Sequence, residues 1–264
     1  MNFQNKVIWI TGASSGIGEA LAKEFAKEGA KLVLSARRES ELERVKTETR
    51  LSDEFVMVLP MDMLVMSEFP DKVQAVLNRF GQIDVVVQNA GISQRSYVKD
   101  TDFQVYRDIM EIDFFSVVAL TKAVLPQMLK QKSGCFVPIS SVAGKIGTPL
   151  RSGYCAAKHA LIGFFDALRA ENYKENIQVT TICPGYISTN ISVSALNAKG
   201  ERHGKMDKNQ KKGMPADQCA QQIISAVKSG VKETYVGGWY EGLGMTLKRF
   251  VPSLLYKMVQ GINS

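Results

Sequence analysis

Seven short runs rich in apolar and β-branched residues recur along the chain: KVIWI (6–10), KLVLS (31–35), FVMVL (55–59), IDVVV (83–87), CFVPIS (135–140), IQVTTIC (177–183) and ETYVG (233–237). As a set they lack the strict apolar/polar alternation of a half-exposed strand. Strands apolar on both faces belong to a parallel sheet that is covered on both sides by helices. The spacers suit that role. Residues 15–28 carry Ile17, Leu21 and Phe25 on one stripe, with Gly29 as a stop signal. Further helices are predicted at 39–50, 67–80, within 102–131, at 154–174 and at 215–229. Alternating elements of this kind predict a doubly wound α/β fold with right-handed crossovers and a seven-stranded parallel sheet. No repeat or linker divides the chain, so residues 1–264 are read as one domain.

Composition excludes several classes. An apolar fraction of 45% and a charged fraction of 22% are those of a folded globular chain. No apolar run approaches the roughly 18 residues of a membrane span, and no leader peptide is read at the start. The four cysteines, Cys135, Cys155, Cys183 and Cys219, stand singly, which fits buried thiols in a reducing, cytoplasmic setting rather than a zinc site. With His159 and His203 as the only histidines, a metal site and a Ser-His-Asp triad are both disfavoured. The net charge of +7 comes largely from residues 199–212, where six lysines and arginines face two acids. That reads as a solvated loop, not a nucleic-acid surface, because no aromatic residues are interleaved with it.

In open α/β sheets the ligand sits outside the carboxyl ends of the strands. The residues that follow the apolar runs are therefore the candidates for chemistry. After the first run comes TGASSGIG (11–18), a strand-to-helix turn. Its residues Gly12, Ser14, Ser15, Gly16, Ile17 and Gly18 predict a pyrophosphate cradle, because glycine admits close backbone approach and a helix N-terminus offers free N–H groups. After the second run, Arg37 and Arg38 stand where an NAD-preferring site carries an acid. A guanidinium pairs with a 2′-phosphate, so the expected cofactor is NADP(H) rather than NAD(H). After the third run, Asp62 and Met63 are placed at the adenine, with a plain turn aspartate as the competing reading. Asn89, Ala90 and Gly91 follow the fourth run and suit a closely packed ribose and nicotinamide. Pro184, Gly185, Ile187 and Thr189 follow the sixth, with the Thr189 hydroxyl available to a carboxamide.

One further motif, YCAAK (154–158), sets a phenol and an ammonium on one helix face. A tyrosine with its ordinary pKa of about 10 is a poor base, and a cation one turn away favours the phenolate. Moving it toward 7 needs about 4 kcal/mol of preferential phenolate stabilisation.

Together these motifs resemble the short-chain dehydrogenases/reductases of the non-extended kind, over nearly the whole chain. TGASSGIG, QNAG (88–91), SSVAG (140–144) followed by YCAAK, and PGYIST (184–189) match that family in order and spacing. MEIDFFS, KHALIGFFDALRAE and the tail KRFVPSLLYKM narrow the resemblance to the member 7 type. The resemblance implies a Rossmann-type fold, with Tyr154 as general acid/base, Lys158 lowering its pKa and holding the nicotinamide ribose, and Ser141 orienting the substrate oxygen. It also implies that a helix distortion near residue 113 supports a proton relay to the lysine. The family usually has asparagine there, whereas this chain has Asp113. Aspartate keeps the shape but loses an amide donor and adds a charge.

The implied reaction interconverts a small-molecule carbonyl and a secondary alcohol. Two alternatives are a ketoacyl-carrier-protein reductase and a catalytically weak NADP(H)-binding regulator, the latter motivated by Asp113. Residues 190–214 are expected to form a mobile substrate lid. The tail 239–264 is expected to cover the pocket or pack on a second subunit, ahead of touching membrane lipid. The helix over 154–174 resembles the one through which family members form homodimers or homotetramers.

Overall fold

The computed structural model describes residues 1–260. The last four residues of the expected tail, 261–264, lie outside the described residues. Strands β1 (Val7–Thr11), β2 (Lys31–Ser35), β3 (Val56–Val58), β4 (Val85–Gln88), β5 (Gly134–Pro138) and β6 (Ile177–Val179) form one parallel sheet in the order β3-β2-β1-β4-β5-β6. Strands β7 (Thr181–Pro184) and β8 (Glu233–Val236) form a second parallel pair.

Here the expected seven-stranded sheet needs correcting. The run 177–183 is broken at the buried Thr180, whose N–H donates to Phe136 O at 2.9 Å. Its two halves become separate strands, so the main sheet has six. The β7–β8 pair still continues it, through a bridge between Ile139 and Ile182 and a Ser140 N–H bond to Ile182 O at 2.8 Å.

The helices, in chain order, are α1 (Gly16–Lys27), α2 (Glu39–Thr49), α3 (Phe69–Phe80), α4 (Phe103–Met110), α5 (Ser116–Gln131), α6 (Ser152–Glu171), α7 (Lys208–Lys211), α8 (Ala216–Lys228), α9 (Trp239–Phe250) and α10 (Pro252–Gln260). Successive strand residues point to opposite faces. Ile8 and Ile10 therefore enter the core with Leu21, Phe25 and Ile223 of α1 and α8, whereas Trp9 enters the opposite core with Phe69, Leu120 and Phe165 of α3, α5 and α6. Both faces of β1 are apolar because both are buried, as the missing alternation implies.

Two interruptions of the helices stand out, the first where the family resemblance implies a helix distortion. The long helix within 102–131 is split by a π-helical segment at Glu111–Phe115. The tail folds into α9 and α10, with Pro252 opening the second helix, where a missing N–H costs nothing. None of the helices among the described residues is long and apolar enough to cross a membrane.

The strand order reverses between β1 and β4, so the two neighbouring carboxyl ends leave a crevice there. That crevice is where the functional residues gather.

Candidate active site

The turn joining β1 to α1 is built for close approach. Gly12 and Gly16 have φ of +66° and +60°, the left-handed region that favours glycine. A Cβ on Gly18 would lie 2.3 Å from Gly12 O. Ser15, the residue before α1, makes no side-chain cap, which leaves the first-turn N–H groups without a side-chain partner. Asn89 braces this turn from β4: its side-chain amide donates to Thr11 O at 3.0 Å and Gly12 O at 3.2 Å. The backbone N–H groups of Asn89 and Ala90 both donate to Thr11 Oγ1 at 3.1 Å. Asn89 therefore shapes the cradle with its amide instead of offering it to a ligand.

A cleft of about 850 Å³ runs from this turn across the sheet end. Ile17, Asn89, Gly91, Asp113, Ser141, Tyr154, Lys158, Pro184, Gly185, Ile187 and Thr189 all line it. Ser14, Ser15, Gly16 and Arg38 line an adjoining hollow, with Thr189 shared between the two. Gly12 and Gly18 lie beneath the turn, where close packing demands glycine. Arg37 is exposed after β2. Asp62 Oδ1 accepts the Leu64 N–H at 3.0 Å, so the turn reading of this residue is satisfied, and Met63 beside it is buried.

Tyr154 and Lys158 sit one turn apart on α6, both buried, with the ammonium 5.6 Å from the ring centre. Two braces fix that helix against the sheet. Ser140 Oγ donates to Lys158 O at 3.0 Å, and a Cβ on Gly144 would clash with both groups. Ser141 Oγ accepts the Ala143 N–H at 3.1 Å and reaches Pro184 O at 3.4 Å, which turns the end of β5 toward Tyr154.

Lys158 Nζ donates to Ile139 O at 3.1 Å and pairs with Asp113 Oδ2 at 3.4 Å. Asp113 lies inside the π-helical segment, where its Oδ1 accepts the Ile92 N–H at 2.7 Å. Gly91 lies over the pair: a Cβ there would stand 3.2 Å from Asp113 Oδ1 and 3.3 Å from Lys158 Nζ.

Electrostatics qualify the simple picture of an acidified phenol. Burial pushes Tyr154 above its ordinary value; Lys158 and the Ser141 hydroxyl oppose this, and the Asp113 charge adds to it. Burial also pushes Asp113 up, against the pull of Lys158 and the Ile92 N–H. Burial would lower Lys158, but the charges of Asp113 and Tyr154 hold it above the ordinary lysine value. In the protein alone the ammonium therefore does not bring the phenol below its solution value.

The segment expected to be a mobile lid is stitched down in this structure. Leu196 N donates to Ser93 O and Arg95 N to Leu196 O, both at 2.8 Å, and Gln210 Nε2 bonds Ile187 O. The tail does cover the pocket: Tyr240, Leu243 and Leu247 of α9 and Leu255, Met258 and Val259 of α10 form one wall. Sequence reasoning missed Ser93, Arg95 and Arg151 as cleft residues. An isolated arginine in a polar turn carries no local signal of burial.

A model of the short chain dehydrogenase family matches residues 6–200. The chain belongs to the short-chain dehydrogenases. Among curated relatives, dehydrogenase/reductase SDR family member 7B of Mus musculus is 41% identical over 260 residues, covering 97% of this chain and 80% of that protein. Family member 7 of Homo sapiens is 42% identical over 236 residues, covering 87% and 69%. A Burkholderia phymatum short-chain dehydrogenase/reductase solved in complex with NAD shares the fold at TM-score 0.85 and 22% identity, covering 96% of both chains. An alcohol dehydrogenase from Thermococcus sibiricus complexed with 5-hydroxy-NADP superposes at TM-score 0.76 and 26% identity, covering 89% of this chain and 97% of that one.

Membership makes the chain an oxidoreductase acting on CH–OH groups, in a family that binds NAD(P). Its own residues fit such a cofactor. The glycine turn and the open α1 N-terminus suit a pyrophosphate, and the buried Lys158, 3.3 Å from where a Gly91 Cβ would stand, suits a ribose.

Proposed function

We propose that this protein is an NADP(H)-dependent oxidoreductase that interconverts a carbonyl and a secondary alcohol, with Tyr154 as its general acid/base. The observation that carries this reading is the meeting of Ser141, Tyr154 and Lys158 at one cleft that also reaches the glycine turn. Bound NADP(H) supplies or accepts the hydride. Ser141 holds the substrate oxygen, and Tyr154 donates a proton to it in reduction and removes one in oxidation. Lys158 favours the phenolate and meets the ribose, while Asp113 holds the ammonium and the turn around Ile92 in register.

Arg37 and Arg38 support the preference for NADP(H). Both are exposed just beyond β2, and Arg38 borders the hollow beside the glycine turn. Thr189, Pro184, Gly185 and Ile187 complete the nicotinamide side of the site, and Asp62 the adenine side. Assembly as a homodimer or homotetramer through α6 and its surroundings is part of the proposal. It is supported by Phe115, 47% exposed, and by open space beside Gly163.

The deciding experiment is a panel of carbonyls and alcohols run in parallel with NADPH/NADP and NADH/NAD, with Tyr154→Phe as control. NADPH should be favoured, and turnover should collapse in the control. Equal use of both cofactors overturns the preference, and an active Tyr154→Phe overturns the acid/base role. A weakly catalytic NADP(H)-binding regulator, which the Asp113–Lys158 pair favours, would bind NADPH and turn over nothing in the panel.

A further inference from the structure

Two guanidinium groups are buried in the wall of the cleft, and they share one carboxylate. The side chains of Arg95 and Arg151 are 4% and 9% exposed, and both residues line the cleft with Tyr154 and Ser141. The chain itself brings them together. Gln94 Oε1 accepts the Gly153 N–H at 2.8 Å, and Ser96 N donates to Leu150 O at 3.1 Å, so the stretch 93–96 packs against the start of α6.

Asp207, at the far end of the stitched segment, meets both. Its Oδ2 lies 2.8 Å from Arg95 Nε, 2.6 Å from Arg95 Nη2 and 3.0 Å from Arg151 Nη2. Two positive charges thus face one negative charge in a largely dry wall. A buried charge without a partner is costly, and an arrangement of this kind is completed by an anion.

The two arginines differ in what they have left to give. Arg95 is nearly saturated, because its Nη1 also donates to Ser93 Oγ at 2.8 Å and Gln94 O at 2.6 Å. Arg151 makes only one Nη2 bond, to Asp207, among the described residues, which leaves its second Nη2 hydrogen as well as those of Nε and Nη1, so a complete two-nitrogen fork remains for the cleft. Burial, together with the neighbouring Arg151 charge, pushes Arg95 below the ordinary arginine value, even though the Asp207 bond opposes it. Much of the remaining wall is apolar, including Ile146, Ile191, Met214 and Leu247.

We infer that Arg151, backed by Arg95, forms a carboxylate-binding subsite in the substrate pocket, and that the substrates are carbonyl or alcohol compounds with an apolar body and one carboxylate. This rests on reading the cleft as the carbonyl pocket. Arg151 stands just before α6, three residues ahead of Tyr154, so a carboxylate bound there leaves the apolar body free to reach the phenol. A guanidinium fork matches a planar carboxylate in two parallel hydrogen bonds. The same pair of guanidinium groups already binds one carboxylate, that of Asp207, through Arg95 Nε and Nη2 and Arg151 Nη2.

The test reads binding apart from turnover. Octanoate and octanamide are titrated into the full-length protein by calorimetry, with wild type, Arg151→Gln, Arg151→Lys and Asp207→Asn in parallel. Octanoate should bind wild type about tenfold more tightly than the amide, as a charge-assisted bidentate contact allows. Arg151→Gln should remove that difference and Arg151→Lys should keep part of it. Asp207→Asn should strengthen octanoate binding, because it frees the second guanidinium, a gain that misfolding cannot imitate. Equal binding of acid and amide by wild type, or an unchanged difference in Arg151→Gln, overturns the subsite. An oxo-octanoate and its methyl ester are then compared as substrates with NADPH. If the carboxylate preference in binding persists while no carbonyl compound is turned over, the subsite stands and the catalytic reading of the cleft fails.

Discussion

Asp113 Oδ2 lies 3.4 Å from Lys158 Nζ and has no hydrogen-bond partner among the described residues, while Asp113 itself is wholly buried. The ammonium that should favour the Tyr154 phenolate therefore also answers to a carboxylate. Asp113 raises Tyr154 and Lys158 together. Substituting asparagine removes a negative charge beside the phenolate, which makes the phenolate easier to form. The expected result for Asp113→Asn is a pH profile of alcohol oxidation whose rising limb moves to lower pH. Activity at the optimum should stay within several-fold, and a change of about a thousandfold would place the amide itself in the reaction.

Under the proposed mechanism, Tyr154→Phe deletes the proton that is exchanged with the substrate oxygen. Turnover should fall by about 10² to 10⁴, the usual contribution of a general acid/base, while NADPH still binds. Fluorescence titration with NADPH separates the two effects. Lys158→Met should weaken both if that ammonium serves the phenol and the ribose as proposed.

Arg37→Asp places an acid where the proposal puts a 2′-phosphate. The ratio of kcat/KM for NADPH over NADH should fall, with the loss lying mainly in KM for NADPH, since the substitution lies far from the reacting atoms. An unchanged ratio assigns phosphate recognition elsewhere.

Gly18→Ala introduces a methyl group 2.3 Å from Gly12 O and 2.6 Å from Asn89 Nδ2. Neither atom is the end of a free side chain, so the turn must shift. The expected cost is about 1–3 kcal/mol of stability, the range for overpacked interiors, together with weaker dinucleotide binding. Thermal unfolding with and without NADPH reports both.

The Asp207 clasp should respond to acid. Burial raises this carboxyl, but the Arg95 hydrogen bonds and the charges of Arg95 and Arg151 outweigh that and hold it below the ordinary aspartate value of 3.8. A lowered acid stabilises the fold above its unfolded pKa and loses that contribution as pH falls through the folded value. Hydrogen exchange in residues 190–214 should therefore quicken, relative to the rest of the chain, below pH 3.8. Asp207→Asn should abolish that relative pH dependence.

The features legible in the sequence were those encoded locally. Each apolar run falls on a strand to within a residue or two, apart from the one that divides, and the glycine turn, Ser141 and the Tyr154–Lys158 spacing mark the crevice. What escaped depended on distant partners. Thr180 looks like any strand threonine, yet its position splits one run into β6 and β7. Pro252 rules out one long helix through the tail, but nothing beside it says that a second helix, α10, begins there. The meeting of Arg95 with Asp207 spans 112 residues, and no window of sequence connects them. The Tyr154–Lys158 spacing conveyed proximity, but not the burial that raises the phenol.

The brace that Asn89 and Ala90 lend to Thr11 and Gly12 comes from 77 to 79 positions downstream. The dinucleotide cradle is thus no autonomous loop that an excised amino-terminal peptide would reproduce. Closing it requires the fourth strand to have docked, a non-local event that follows slow chain closure during folding. A refolding chain should accordingly acquire helical circular dichroism before it can quench NADPH fluorescence, with the lag set by that single strand pairing.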